Sequence, residues 1–217
     1  MMNNKYKIIL HLCADTWSDS KPYRDAWYTV ICIGKDIGVE NYHPPKNVYW
    51  VIANPPCLEF SRARTGGKPR LWEDGMRLVR ECQRIIDECW ELKFRVMENP
   101  ATGALRNYLG KPQYEYQPRW YGSPRTKKTA LWGNFNIPQR VYTKREDVPK
   151  NENLWVRKRN RVTENDRYTG KPEMHTLHKS AYKHITEFHC LPEPQSDMEM
   201  RSLCSQKFAK EFYLLNQ

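Results

Sequence analysis

Short apolar runs separated by polar stretches organise the first half of the chain. Residues 6 to 13, Tyr28 to Ile33 (YTVICI) and Val48 to Ala53 (VYWVIA) are nearly continuous in apolar side chains, many of them β-branched or aromatic. Runs of this length without polar alternation suit strands buried on both faces of a parallel sheet. Pro55-Pro56 ends the third run, since proline supplies no ladder donor. Over Leu71 to Leu92 the period changes. Trp72, Met76, Val79, Gln83, Ile86 and Trp90 recur three or four apart, which predicts an amphipathic helix. Glu73 and Asp74 fall in its first turn, where the helix dipole favours acids. Phe94 to Met97 reads as a fourth strand and Ala130 to Phe135 as a fifth. This alternation predicts an α/β fold with a doubly wound, mostly parallel sheet. Such sheets bind ligands beyond the carboxyl ends of their strands, where Asn54–Ser61 and Glu98–Ala101 both begin.

From Val141 to His189 the periodicity weakens. Arg157, Lys158, Arg159 and Arg161 form a dense basic run there, alongside Trp155, Arg167 and Tyr168. The stretch reads as a small irregular basic lobe, with a solvated charged surface as the plainer alternative. Met198 to Leu215 is helical again, with Leu203, Phe208, Phe212 and Leu215 spaced for one buried face. The expected organisation is a core over 1–140, a basic lobe over 141–195 and a returning C-terminal helix over 196–217. No internal repeat or low-complexity tract is visible.

Composition narrows the partners. Lys and Arg number 36 against 25 Asp and Glu, a net charge of +11. A pI near 9.3 favours a polyanion, nucleic acid first. No apolar run approaches the roughly 20 residues of a membrane span. The chain runs from Met-Met-Asn-Asn-Lys straight into a strand-like segment with no visible secretion signal, so a cytoplasmic location is expected. The seven cysteines form no CxxC pair and read as free thiols, mostly buried. His175, His178, His184, His189 and Cys190 lack a second close cysteine pair, so no metal site is assigned to them.

Two segments carry candidate chemistry. In Asn54-Pro55-Pro56-Cys57-Leu58-Glu59-Phe60-Ser61 the prolines stiffen the backbone after a strand and fix the direction of Cys57. A thiol there can act as a nucleophile once dipoles or cations activate it. The plainer reading is a buried cysteine after a turn. Glu98-Asn99-Pro100 also follows a strand, and a carboxyl group there could hold a heterocycle by a ring nitrogen and an amino group. The plainer reading is a capping or turn acid.

Together these segments resemble the cytosine carbon-5 DNA methyltransferase family, with its Pro-Pro-Cys segment ending in Phe-Ser and its Glu-Asn dipeptide after the next core strand. Tyr121-Gly122-Ser123-Pro124-Arg125-Thr126-Lys127-Lys128 is similar to the family's later Tyr-Gly-x-Pro segment. Ser205 to Phe212 is similar to its last helix. The layout looks most like a compact, phage-type member, which implies the cytoplasm of a bacterial host. The resemblance implies a Rossmann-like methyltransferase fold, double-stranded DNA as partner without an obligate protein partner, and S-adenosylmethionine as methyl donor. It also implies that a flipped cytosine is attacked at carbon 6 by Cys57 and held at nitrogen 3 by Glu98. Lys127 or Arg125 would stand over the base, and Ser61 would hold a phosphate or the catalytic loop.

The cofactor segment departs from the family. The implied donor contacts fall on Cys13, Ala14, Asp15, Thr16, Trp17, Asp36, Asn54 and Pro55. Yet the expected glycines of the first turn are replaced by Asp15 and Trp17, and the acid expected after the second strand is displaced to Asp36 within Gly34-Lys35-Asp36. Three readings stay open: the ordinary donor in altered geometry, a modified donor met by Lys35 or Arg24, or a DNA-binding protein without transfer activity. A different enzyme class also competes, because Asn54-Pro55-Pro56 resembles the motif of amino-group DNA methyltransferases, although Cys57 stands where their aromatic belongs. The short 141–195 region implies relaxed specificity or a short target.

Overall fold

A computed structural model describes residues 4–61, 69–123, 125, 127–144, 146–149 and 179–217 of the chain. The basic run and Trp155, Arg167, Tyr168, His175 and His178 lie outside the described residues.

Strands β1 (Ile8–Leu12), β2 (Thr29–Ile33), β3 (Val48–Ala53), β4 (Phe94–Pro100), β5 (Tyr114–Tyr116) and β6 (Thr129–Asn134) form one sheet in the order β2-β1-β3-β4-β6-β5. The pairs β1·β2, β1·β3 and β3·β4 are parallel. β6 pairs antiparallel with both β4 and β5, so it alone runs against the others. The α/β, mostly parallel expectation holds in that mixed form. The chain steps from β1 out to β2, then crosses back to β3 on the other side of β1. That reversal makes the carboxyl ends of β1 and β3 the switch point where open α/β sheets bind ligands.

Helices α1 (Lys21–Asp25), α2 (Trp72–Glu88), α3 (Arg106–Leu109), α4 (Asp197–Ser202) and α5 (Gln206–Leu215) complete the order. Two-residue alternation splits the sheet residues between two cores. Leu10, Leu12, Val51, Ala53, Met97, Ala130 and Trp132 share one with Met76, Val79, Cys82, Ile85 and Ile86 of α2. Ile9, Trp50, Ile52, Val96 and Leu131 share the other with Tyr23 of α1 and Phe208, Ala209 and Phe212 of α5. At about 25 cal/mol per Å² these two apolar layers supply most of the drive to fold.

The buried stripe of α2 differs from the expected one. Cys82 and Ile85 take the place of Gln83, which is exposed, and the helix stops at Glu88, leaving Trp90 82 % exposed. Positions 82 and 83 are both reachable from 79 on a 3.6-residue helix, and the apolar one turns inward. Gly75 lets α2 approach the Cys57 turn, because a Cβ there would meet Phe60 at 2.9 Å and Glu59 Cβ at 3.0 Å. Arg84 fastens the helix to the β2–β3 connection through the carbonyls of Val39 and Tyr42, at 3.1 and 3.0 Å.

The expected C-terminal helix is two helices. Ser205 ends the break by capping α5 through the Phe208 amide. Leu215 is exposed rather than on the buried face. Ile185, Phe188 and Leu191 form a third cluster with Met200 and Leu203. The described end of the 141–195 region is therefore packed directly on α4. Among the described residues no helix is long and apolar enough to cross a membrane.

Candidate active site

β1, β3 and β4 end side by side, and their alternation puts His11, Asn54 and Glu98 on the α1/α5 face of the sheet. The Asn54 amide extends the β1–β3 ladder by donating to the Leu12 carbonyl at 3.0 Å. From there its side chain links two neighbours. His11 Nε2 lies 3.0 Å from Asn54 Oδ1, and Asn54 Nδ2 donates to Glu98 Oε2 at 3.5 Å. Lys127 Nζ stands 3.4 Å from the other carboxylate oxygen, Oε1. Burial pushes the His11 pKa down against the pull of Asp19 and the Asn54 hydrogen bond. The neutral imidazole then has one N–H. Donating it to Asn54 leaves Nδ1, 2.9 Å from Ser20 Oγ, as an acceptor.

Burial likewise raises the Glu98 pKa, although the Lys127 charge and the Asn54 hydrogen bond oppose it. A carboxyl group that keeps its proton more readily suits donation to a ring nitrogen. Lys127 is pulled both ways. Burial works against its charge, but Glu98, Cys57 and Asp19 outweigh burial and hold the ammonium above its usual value. A small pocket opens over this group, with walls that include Asp19, Asn54, Glu98, Tyr116, Lys127 and Cys204.

Cys57 sits beside this pocket without forming part of its wall. Its turn is closed by its own carbonyl, which accepts the amides of Phe60 at 3.0 Å and Ser61 at 2.7 Å. The preceding Pro55 carbonyl accepts from Asn99 Nδ2 at 2.9 Å. Adjacent strand residues face opposite ways, so Glu98 enters the pocket while buried Asn99 clamps the proline turn from the α2 side. The half-buried thiol feels both site charges. Burial raises its pKa, Lys127 and Arg201 lower it, Glu98 raises it again, and the net direction is up. The resting group is therefore the thiol. Its alkylation by iodoacetamide should accelerate through a midpoint above the ordinary thiol value, and Lys127→Gln should move that midpoint higher. Peptide mass spectrometry against pH checks this, and a midpoint below the ordinary value rejects the arrangement.

The other expected residues fall into two groups. Arg125 lines the same pocket, but it is 3 % exposed and its charge is engaged elsewhere. Its guanidinium donates to the carbonyls of Leu203, Met200 and Arg201, the last two at 3.4 and 3.1 Å, and lies 5.1 Å from the Phe188 ring centre. Ser61 closes the Cys57 turn with its amide, and its carbonyl accepts from Arg70 at 2.9 Å. In the turn after β1, Cys13 and Trp17 have φ of 55° and 40°, the left-handed region that favours glycine. Cys13 Sγ lies 3.7 Å from Cys82 Sγ. Ala14 is buried, and Thr16 Oγ1 lies 3.5 Å from Ser18 Oγ. The Asp15 carboxylate accepts the Lys35 amide at 3.0 Å and pairs with Lys35 Nζ at 3.2 Å, while Asp36 is exposed. Trp17 lies under the Arg24 guanidinium at 4.2 Å.

Sequence reasoning passed over His11, Asp19, Tyr116 and Arg201, and gave Asn99 no role beyond its place in the Glu98-Asn99 dipeptide. His11 had a visible signal, being the one polar residue in an otherwise apolar strand. Arg201 had none, because it arrives from the far end of the chain. Among the described residues no group of three or more His, Cys, Asp or Glu side chains is placed to hold a metal ion. The chain matches no family model and no curated protein.

Proposed function

We propose that this chain is a DNA cytosine carbon-5 methyltransferase in which Cys57 is the nucleophile and Glu98 the acid that holds the base. The observation that carries the reading is the buried Glu98 carboxyl group at the carboxyl end of β4, its pKa raised, beside a pocket and near enough for its charge to act on the Cys57 thiol. The +11 charge suits a DNA partner. The six-stranded sheet, with its switch point at β1 and β3, suits a Rossmann-like methyltransferase fold.

In this mechanism the Cys57 thiol first loses its proton, a step that Lys127 and Arg201 favour. The thiolate adds to carbon 6 of a flipped cytosine as Glu98 protonates nitrogen 3. The carbon 5–carbon 6 double bond opens, and carbon 5 becomes the nucleophile. Loss of the carbon-5 hydrogen as a proton to solvent water, after an electrophile has been taken, restores the double bond, expels the thiolate and returns the nitrogen-3 proton to Glu98. Lys127 is the cation nearest the reacting ring, and Asn99 keeps the nucleophile's turn in place.

S-adenosylmethionine, the donor the resemblance implies, would supply a methyl group to carbon 5. The turn after β1 puts Cys13 and Trp17 in the left-handed backbone region that favours glycine, and its side chains leave the ordinary donor a seat of altered geometry. Asp15 is already paired with Lys35, and Lys35 occupies the place where a ribose-binding acid is expected. Arg24, packed on Trp17, is likewise engaged. Calorimetry with S-adenosylmethionine addresses the donor directly, and absence of heat at high protein concentration counts against it.

The addition step can be tested without a donor. In its absence carbon 5 takes a proton from water, so the enzyme should release tritium from DNA carrying 5-tritiated cytosine. Absence of release from any DNA overturns the reading. A product methylated on an exocyclic amine would favour the competing class, although the Asn54 oxygen that would accept such an amine is already bound by His11.

A further inference from the structure

Alongside the Cys57 turn lies a cavity of about 340 Å³ whose walls include Phe60, Arg70, Trp72, Gly103, Arg106 and Lys128. It is built from the same segments as the candidate site. Phe60 follows Cys57 by three residues, and Lys128 follows Lys127. The Ala101 amide, three residues past Glu98, donates to the Lys128 carbonyl at 2.9 Å, and the Ala104 amide donates to the Phe60 carbonyl at 2.9 Å. Gly103 lets these segments close up, since a Cβ there would meet the Phe60 carbonyl oxygen at 3.2 Å.

The charge of the cavity is one-sided. Arg70 donates to the carbonyls of Glu59 at 2.7 Å and Ser61 at 2.9 Å, which are neutral acceptors, and lies 5.3 Å from the Trp72 ring centre. Arg106 and Lys128 share one carboxylate, Glu115, with Arg106 at 3.3 Å and Lys128 in direct contact. Both cations remain partly exposed to the cavity. An anion that enters meets three fixed donors next to the point where a base would leave its stack.

We propose that this cavity seats a backbone phosphate of the DNA strand whose cytosine enters the Cys57–Glu98 site. The assignment rests on the cytosine reading. Phosphate contacts of this kind fix register and orientation without reading sequence, and a contact beside the flipped nucleotide holds the strand while its base is out. Glu115 keeps Arg106 and Lys128 in position and holds back their charge until the phosphate arrives.

The test uses cytosine-containing duplex DNA, fluorescence anisotropy across a salt series, and tritium release measured in parallel. Glu115→Gln should bind several-fold more tightly at low salt, because it releases two cations. A structural pair turned away from the DNA would give only the small general gain of one fewer negative charge. The double variant Arg106→Gln/Lys128→Gln should bind more weakly, and its log-affinity against log-salt slope should flatten by about 0.9 for one lost phosphate contact. Unchanged slope in the double variant together with no more than that small gain in Glu115→Gln overturns the phosphate seat, even if tritium release stays intact. A flattened slope with no tritium release from any protein keeps the seat and sinks the cytosine reading instead.

Discussion

Cys57→Ala should abolish tritium release and methyl transfer, a loss on the order of 10⁴-fold or more as for other single nucleophiles acting within a unit. It should also eliminate any denaturation-resistant adduct on DNA carrying 5-fluorocytosine. The fold should survive, because the Cys57 turn is closed by main-chain hydrogen bonds and by Asn99, not by the sulfur. Glu98→Gln should also be severely impaired but should retain the adduct at a low level, because a carboxamide can still hold the ring edge but cannot supply the proton. An adduct that persists in Cys57→Ala would move the nucleophile to another thiol, and Cys204, which lines the Glu98 pocket, would then be examined first.

The second large effect concerns stability. Arg125→Met should cost about 3–5 kcal/mol, the range for removing one partner of a buried charged network. Arg125 lies at the C-terminal end of α4, and its planar fork satisfies carbonyls there that the helix leaves without partners. It also faces Glu187, which is joined to Ser123 and Ser205 and accepts from the Lys207 amide at 3.3 Å. Methionine keeps much of the volume but strands those carbonyls. Arg125→Lys should recover only part of the loss, since one ammonium cannot cover three acceptors in a plane. Urea denaturation followed by circular dichroism measures both. A cost below about 1 kcal/mol would mean that water replaces the guanidinium easily.

The parallel strands were legible in the sequence because burial on both faces makes them continuous apolar runs, and β1 to β4 fall close to where those runs predict. β5 was not legible. Tyr114-Glu115-Tyr116 is three residues long, too short for a period to emerge, and becomes a strand only because β6 offers it an antiparallel edge. The direction of β6 is also a tertiary fact that periodicity does not encode. In the site, Cys57 and Glu98 could be found because each belongs to a recognisable motif at a strand's carboxyl end, although β4 runs on through Glu98 to Pro100 rather than stopping at Met97 as expected. Lys127 was found with them, but Arg125 beside it could not be told apart by sequence. One turns to the carboxylate and the other to a helix end, and only packing decides which. His11 and Asn99 act through hydrogen bonds that connect residues about 44 positions away, which no local window displays.

The Glu98-Asn99 dipeptide carries a consequence for how β4 tolerates change. One peptide unit delivers a buried carboxyl group to one side of the sheet and a brace for the Cys57 turn to the other. Sliding β4 by a single position would exchange the two, turning the carboxylate toward apolar helix packing and the carboxamide toward the ammonium. An insertion or deletion anywhere along β4 would thus dismantle the candidate site while leaving each chemical group in the chain intact, so this strand should be far less forgiving of length changes than the loops around it.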